Sequence, residues 1–251
     1  MASAPPIIFS KRRKQVREER ATAVLERRET ATFLLDHMAE DIHERLAFIR
    51  HQPRLILVEG FDVAGVAQGP WTHSLQIRSV ESGDFEEPLD FESGCFELVT
   101  SVNSLDKVND LPGALIQMRR LLAPGGLAIA SFIGGASLPK LRRAMFGAEP
   151  DRPAARMHPL IDPRSCPQLL ARAGWTDPVV DTQTLTVRYS SLDRLVQDLR
   201  EHAMGNVLAS PAPALTRTAL DRARAAFLAQ SDDDGKVSET FEIVTLTGRA
   251  P

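Results

Sequence analysis

The sequence predicts an α/β fold: a doubly wound, mostly parallel sheet with helices on both faces and an N-terminal helical extension. Three observations predict it. Leu55–Val58 is a short, continuously apolar run between Arg54 and Glu59, the pattern of a strand buried on both faces. Similar runs alternate with amphipathic stretches of three- and four-residue spacing, which implies strand–helix–strand units. The composition, 43% hydrophobic and 25% charged in 251 residues, is that of an ordinary globular protein with room for one large α/β domain or two small ones.

The chain opens with Ile7-Ile8-Phe9, too short an apolar run for a secretory signal. Glu18 and Glu19 argue against an acid-poor transit peptide. Lys11-Arg12-Arg13-Lys14 reads either as a solvated helix start or as a contact for phosphate or lipid headgroups. A basic first turn opposes the helix dipole, so the helix is expected to begin nearer Val16. Phe33, Leu35, Met38, Ile42, Leu46 and Ile49 then mark a helix face that Pro53 ends.

Leu55–Val58 is the first strand, Ser74–Ile77 a weaker second and Phe96–Ser101 a third. Asn109 or Asp110 caps the next helix, with Pro112 in its first turn, Arg119 and Arg120 near its end and Pro124-Gly125-Gly126 as its stop. Leu127–Phe132 is the following strand. Helices are expected over Pro139–Phe146, from Asp162 to Gly174, and at Leu192–His202 and Leu215–Leu228. Thr184–Tyr189 and Thr240–Thr247 alternate in character and are expected to pair as an antiparallel edge. Ligands of such sheets bind beyond the carboxyl ends of the strands, which directs attention to Glu59–Ala64, the turn near Ile77, Ser101–Leu105 and Phe132–Ala136.

Two segments carry a family resemblance. Phe96-Glu-Leu-Val-Thr-Ser-Val-Asn-Ser-Leu105, Val108–Leu115 and Leu121-Leu-Ala-Pro-Gly-Gly126 resemble the fourth strand, helix and turn of class I S-adenosylmethionine-dependent methyltransferases. Ile8–Gln15 and Leu169-Leu-Ala-Arg-Ala-Gly-Trp175 resemble a subgroup that includes the methyltransferase-fold assembly factor of respiratory complex I and the malonyl-carrier-protein methyltransferase of biotin synthesis. The resemblance implies a Rossmann-like sheet of seven strands with the last antiparallel. It divides the chain into a basic helical segment, 1–51, and a methyltransferase-like domain, 52–251.

The resemblance also says what the cofactor site should contain. Glu59-Gly60-Phe61-Asp62-Val63-Ala64-Gly65 stands where the family has a glycine-rich loop, and only Gly60 falls on an expected glycine, while Gly65 and Gly69 could supply a displaced loop. The second strand ends Gln76-Ile77-Arg78-Ser79, without the acid that accepts from the ribose hydroxyls. Asp84 and Phe85 match the acid and apolar neighbour that hold adenine, or else form a plain surface turn. Leu105-Asp106-Lys107 replaces a Leu-His-Trp step, leaving Asn103 and Ser104 near the strand end. The cofactor-binding residues implied are Glu59, Gly60, Phe61, Asp84, Phe85, Ser101 and Asn103, with S-adenosyl-L-methionine as cofactor unless these departures have abolished its binding.

Other chemistry is sparse. The six histidines have no compact metal spacing, and Cys95 and Cys166 make neither a zinc site nor a disulfide scaffold. His158 before Pro159 reads as a turn residue or as a base, and Cys166 lacks a partner base. Arg142, Arg143, Arg152 and Arg156 make a basic region suited to an acidic partner or simply to solvent. The net charge of −3 and scarce aromatics speak against nucleic acid, and no apolar run reaches the roughly 18–20 residues of a membrane span. Besides methylation of a small molecule or acyl carrier, two functions stay open. One is an enzyme modifying a protein side chain, by methylation or hydroxylation, in respiratory complex assembly. The other is a non-catalytic assembly or interaction protein that keeps the fold. Either is expected in the cytoplasm or peripheral to a membrane, with a protein substrate or partner such as a respiratory-complex subunit.

Overall fold

The computed structural model describes residues 6–26, 31–60, 64–67, 76–80, 84–151 and 154–251. Two helices, α1 Lys11–Leu25 and α2 Phe33–Phe48, precede β1 Leu55–Gly60, the short α3 Ala64–Ala67 and β2 Gln76–Val80. There follow β3 Phe96–Val102, α4 Leu111–Leu121, β4 Leu122–Ile133, α5 Pro139–Ala148 and α6 Cys166–Ala173. β5 Thr176–Tyr189, α7 Leu192–Glu201, α8 Arg217–Leu228 and β6 Val237–Arg249 complete the chain.

The strands lie in the order β2-β1-β3-β4-β6-β5. β1 pairs in parallel with β2 and β3, and β3 with β4, while β6 runs antiparallel between β4 and β5. The doubly wound class I methyltransferase architecture is present, and among the described residues six strands build it. Between β2 and β3, where the family's remaining strand was expected, the described chain makes a 3-10 turn at Asp84–Glu86 and bends through Pro88.

Both sheet faces are covered, as alternation dictates. Leu127, Ile129 and Ile133 of β4 face a core shared with α2, α5, α7 and α8. Ala128, Ala130 and Phe132 face the core of α4 and α6. The sequence signals explain α4 directly. Asp110 caps it, its Oδ1 accepting from Gly113 N at 3.0 Å, and Leu115, Met118 and Leu121 are buried one turn apart. α6 ends at Gly174, whose φ of +80° is the left-handed C-cap conformation.

Several boundaries differ from expectation. β4 begins at Leu122 rather than Leu127, because α4 already ends at Leu121 and Pro124-Gly125-Gly126, expected as the helix stop, lies within the strand. α1 begins at Lys11 rather than near Val16, because Ser10 caps it and Lys14 finds acidic company inside the protein. β2 runs two to three residues later than its apolar pattern, and residues 74 and 75 lie outside those described. β5 begins at Thr176, well before the alternating stretch, because its first half is an edge whose hydrogen bonds come from β6.

A buried carboxylate ties α2 to this edge. Asp41 accepts from Arg45 Nε at 2.9 Å, Gln183 Nε2 at 3.2 Å and Thr245 Oγ1 at 2.8 Å. Arg45 reaches on to Asp181 at 2.5 Å. Asp41→Ala leaves these donors without an acceptor, and a loss of about 2–4 kcal/mol is expected. A urea titration checks this as a lower midpoint at unchanged m-value, with Asp41→Asn losing less.

Candidate functional site

The carboxyl ends of β1 and β3 meet in a buried polar cluster. β1 finishes in Glu59 and Gly60, and Glu59 is fully buried although it is a carboxylate. Its Oε2 accepts from Ser101 Oγ at 2.5 Å and its Oε1 from Ser104 Oγ at 2.6 Å. Ser104 Oγ in turn accepts from Lys14 Nζ at 3.1 Å, which brings a buried lysine of α1 over the strand ends. Burial lowers the Lys14 ammonium from its ordinary pKa, while Glu59 pulls it back up and Lys107 pushes it down.

Gly60 is required where it stands. Its φ is +126°, and a Cβ there would lie 2.1 Å from the backbone oxygen of Val102 on β3. The chain therefore turns off β1 in contact with β3. Val58, the last residue of the apolar run, is an extended, buried strand residue paired with β3.

Asn103 leaves β3 with a φ of +53° and its N–H bonded to Ser131 O at 2.8 Å. Its Nδ2 donates to His202 O at 2.9 Å, while its buried Oδ1 has no protein donor. The next turn, Leu105–Lys107, buries both charged side chains. Asp106 Oδ1 and Lys107 Nζ are likewise buried without a hydrogen-bond partner. Burial alone would push the Asp106 carboxyl up, but Lys107, His158 and Lys14 together hold it below the ordinary carboxylate range. His158 Nε2 stands 3.8 Å from Asp106 Oδ2 and presents its ring edge-on to Phe9.

The segment before α1 is pinned across this region. Asn109 Oδ1 accepts from the N–H groups of Ile8 and Phe9, each at 2.8 Å, and Asn109 Nδ2 donates to Phe9 O at 3.2 Å. Ser10 N donates to Val207 O and Ala209 N to Ile8 O.

Of the residues expected from sequence, Glu59, Gly60, Ser101 and Asn103 come together here. Phe85 is buried in the α4 core with Leu57, Leu105 and Leu115. Asp84 begins the 3-10 turn, and its side chain, like the whole of Phe61, lies outside the described residues. Sequence reasoning missed Lys14, read as part of a solvated or headgroup-binding run. It also read Asp106 and Lys107 only as a lost motif. A signal did exist: Lys14 lies on the face of α1 shared with Ala21, one helical repeat away.

The remaining candidates carry other duties. Arg156 is held by Glu149 and Pro213 O rather than facing solvent. Burial pushes the Cys166 thiol up to about 11, which disfavours the nucleophilic thiolate. Gly134 packs against Glu242 and Val244 of β6. No group of three or more His, Cys, Asp or Glu among the described residues is arranged to hold a metal. No described helix is long and apolar enough to cross a membrane.

A family profile described as "Methyltransferase domain" matches residues 33–179. Human "Arginine-hydroxylase NDUFAF5, mitochondrial" is 33% identical over 167 residues, covering 65% of this chain and 48% of that protein. A malonyl-acyl-carrier-protein O-methyltransferase of Halorhodospira halophila is 32% identical over 158 residues, covering 62% of this chain and 52% of that one. The chain thus spans about half the length of these relatives. Among solved structures, the cyclase SpnF matches with a TM-score of 0.53 at 14% identity over 99% of each chain. YcgJ of Bacillus subtilis matches at 0.51 and 9% identity, over 85% of this chain and 98% of that one. These structural matches bear on the fold.

Proposed function

The chain belongs to the methyltransferase-domain family, and from that premise we propose that it binds S-adenosyl-L-methionine beyond β1 and β3 and modifies a protein side chain. The observation that carries this reading is the set of buried polar atoms at those strand ends. A methionine-like zwitterion needs acceptors for its ammonium and a cation for its carboxylate. Asn103 Oδ1 and Asp106 Oδ1 are open acceptors, and Lys107 Nζ is an open donor. Leaving such groups buried and unpaired costs about 1–3 kcal/mol each, which a ligand of matching polarity would recover. The donor set therefore fits the cofactor's amino-acid end, and Gly60 holds the chain against β3 beside it.

When bound, the cofactor supplies an electrophilic methyl group on a sulfonium. The protein's own part is to position and to desolvate. Glu59 presents negative charge from a fully buried carboxylate held by two hydroxyls, so it needs no reorganisation to face a cation. His158, beside Asp106, is the group on hand to take a proton from an acceptor. The relatives named arginine-hydroxylase make a guanidinium side chain the first acceptor to test, for methylation by the cofactor or, with molecular oxygen and a reductant supplied separately, for hydroxylation. The relatives named as malonyl carrier-protein methyltransferases make a carrier-bound carboxyl group the second.

Calorimetric titration with S-adenosyl-L-methionine is expected to give a micromolar Kd that Asn103→Ala weakens about tenfold, the cost of one hydrogen bond to a charged group. Absence of heat with the folded protein at millimolar ligand would overturn the reading. It would favour the second one, a non-catalytic assembly protein, for which the lysine already seated beside Glu59 is the specific support.

A further inference from the structure

We propose that the seam between α1 and α7 carries a binding site for a phosphate group, built from Arg13, Arg17, Arg20 and Arg200. The site stands apart from the cofactor reading, because all four arginines lie outside residues 33–179, which the family profile matches.

The spacing on α1 gathers three of them. At about 100° per residue, Arg13 and Arg20 fall within about 60° of Arg17 round the helix, while Glu18 and Glu19 fall about 100° and 160° away from it. α1 packs on α7, and Arg200, in the last turn of α7, brings a fourth guanidinium to Arg17. The stretch that follows α7 holds two of the side chains in place. Arg13 Nη2 donates to Asn206 O at 3.4 Å. Arg17 Cδ and Nε lie against Gly205, each 3.2 Å from where a Cβ would stand. Arg13 Nε is buried without a hydrogen-bond partner.

Among the described residues, none of the four arginines forms an ion pair. The neighbouring carboxylates serve other groups. Asp198 pairs with Arg194 at 3.0 Å, Glu201 accepts from Gln197 Nε2 at 2.8 Å and Ala31 N at 3.4 Å, and Glu18 acts on Lys14. Arg156, whose carbonyl accepts from Asn206 Nδ2, has its own counter-charge in Glu149. The Arg17 guanidinium accordingly sits below its ordinary pKa, through burial first and then through Arg13, Arg20 and Arg200. Like charges gathered at a packed seam repel, and a bridging anion turns that repulsion into attraction. Guanidinium forks match the oxygens of a phosphate two at a time, and a phosphate monoester carries more charge than one carboxylate. The group belongs either to a soluble phosphorylated compound or to the headgroup of an anionic lipid.

Two probes distinguish these sources. One is calorimetric titration of the full chain with pyrophosphate at fixed ionic strength. The other is co-sedimentation with phosphatidylcholine vesicles containing about one-third phosphatidylglycerol. Arg17→Met keeps the packed stem and removes the charge, and Arg200→Gln removes the charge on α7. Arg142→Gln with Arg143→Gln, two exposed arginines of α5, is the control. Combining Arg17→Met with Arg200→Gln is expected to weaken binding at least about tenfold, and the control less than about twofold. With a soluble source, pyrophosphate binds and displaces the protein from vesicles. With a headgroup source, vesicle binding is lost in the double variant and millimolar pyrophosphate does not compete.

Stability gives a further readout. Relieved of three like charges, Arg17→Met is expected to unfold about 1–3 °C above wild type in phosphate-free buffer and to lose part of the rise that phosphate gives wild type. The general salting effect of phosphate is common to both proteins and cancels in the comparison. Failure of wild type to bind either probe overturns the proposal, as does equal weakening by the control, which would make the effect one of overall charge. A lower midpoint for Arg17→Met without phosphate also overturns it, since the guanidinium would then have a counter-charge of its own.

Discussion

Gly60→Ala is expected to abolish the folded state or to leave it severely destabilised, by about 4 kcal/mol or more. Two costs add. The backbone φ of +126° is one that residues with a Cβ rarely adopt, and the new methyl would stand 2.1 Å from the Val102 carbonyl oxygen. That oxygen belongs to β3, at the centre of the parallel half of the sheet, so the neighbour cannot yield as a flexible side chain would. To relieve the clash, β1 must part from β3 at its carboxyl end, which also separates Glu59 from Ser101. The readout is the soluble yield and the thermal midpoint. A cooperative unfolding transition within a few degrees of wild type would show that the β1–β3 contact is not as close as described. Gly125→Ala is the natural control, because its φ is also positive but its Cβ would meet nothing within 4 Å, so only the backbone cost applies.

Glu59→Ala is expected to cost about 3–5 kcal/mol and to remove binding of the methyl donor. The variant strands Lys14 without its leading counter-charge and leaves the Ser101 and Ser104 hydroxyls without their acceptor. The energetic part has a sharp internal check. Glu59→Gln keeps a hydrogen-bond acceptor for one serine and should lose less. Glu59→Gln combined with Lys14→Met removes the stranded charge as well and should recover part of the loss. A double-mutant cycle in urea measures this coupling, which is expected to exceed about 0.5 kcal/mol for groups joined through the shared Ser104 hydroxyl. Additive single effects would mean that Lys14 and Glu59 act independently.

What the sequence made legible followed from local rules. The Asp110 cap, Pro112, the Gly174 stop and the pairing of β5 with β6 are consequences of side-chain type at short range, and the structure has all of them. What it hid was decided at long range. Lys14 looked like one more member of a basic run, because the carboxylate that draws it inward lies at the far end of β1, more than forty residues on. The start of α1 was misjudged for the same reason: a dipole argument counts charges along the helix and cannot see tertiary counter-charges. Phe85 resembled a surface turn or an adenine cover, yet it fills the space under α4, a choice set by the shape of the core. In the candidate site, Glu59, Gly60, Ser101 and Asn103 were visible as strand-end residues. Their joint arrangement with Ser104 and Lys14 was not, since two strands and a helix from separate parts of the chain must converge to make it.

The place of β6 has a consequence for how the molecule comes into being. β5 precedes β6 in the chain but lies beyond it in the sheet, so β5 joins the sheet only through β6. β6 also brings Glu239, whose carboxylate receives the first N–H groups of α5, and Thr245, which reaches Asp41 on α2. On a ribosome, β5 must wait for the strand that follows it, while α7 and α8 already have α1 and α5 to pack on. The nascent chain therefore carries a long unpaired edge, the kind of surface that chaperones shield. A late commitment of this sort makes assembly nearly all-or-none, because one strand closes the sheet, starts a helix and completes the polar tie to α2 at the same moment.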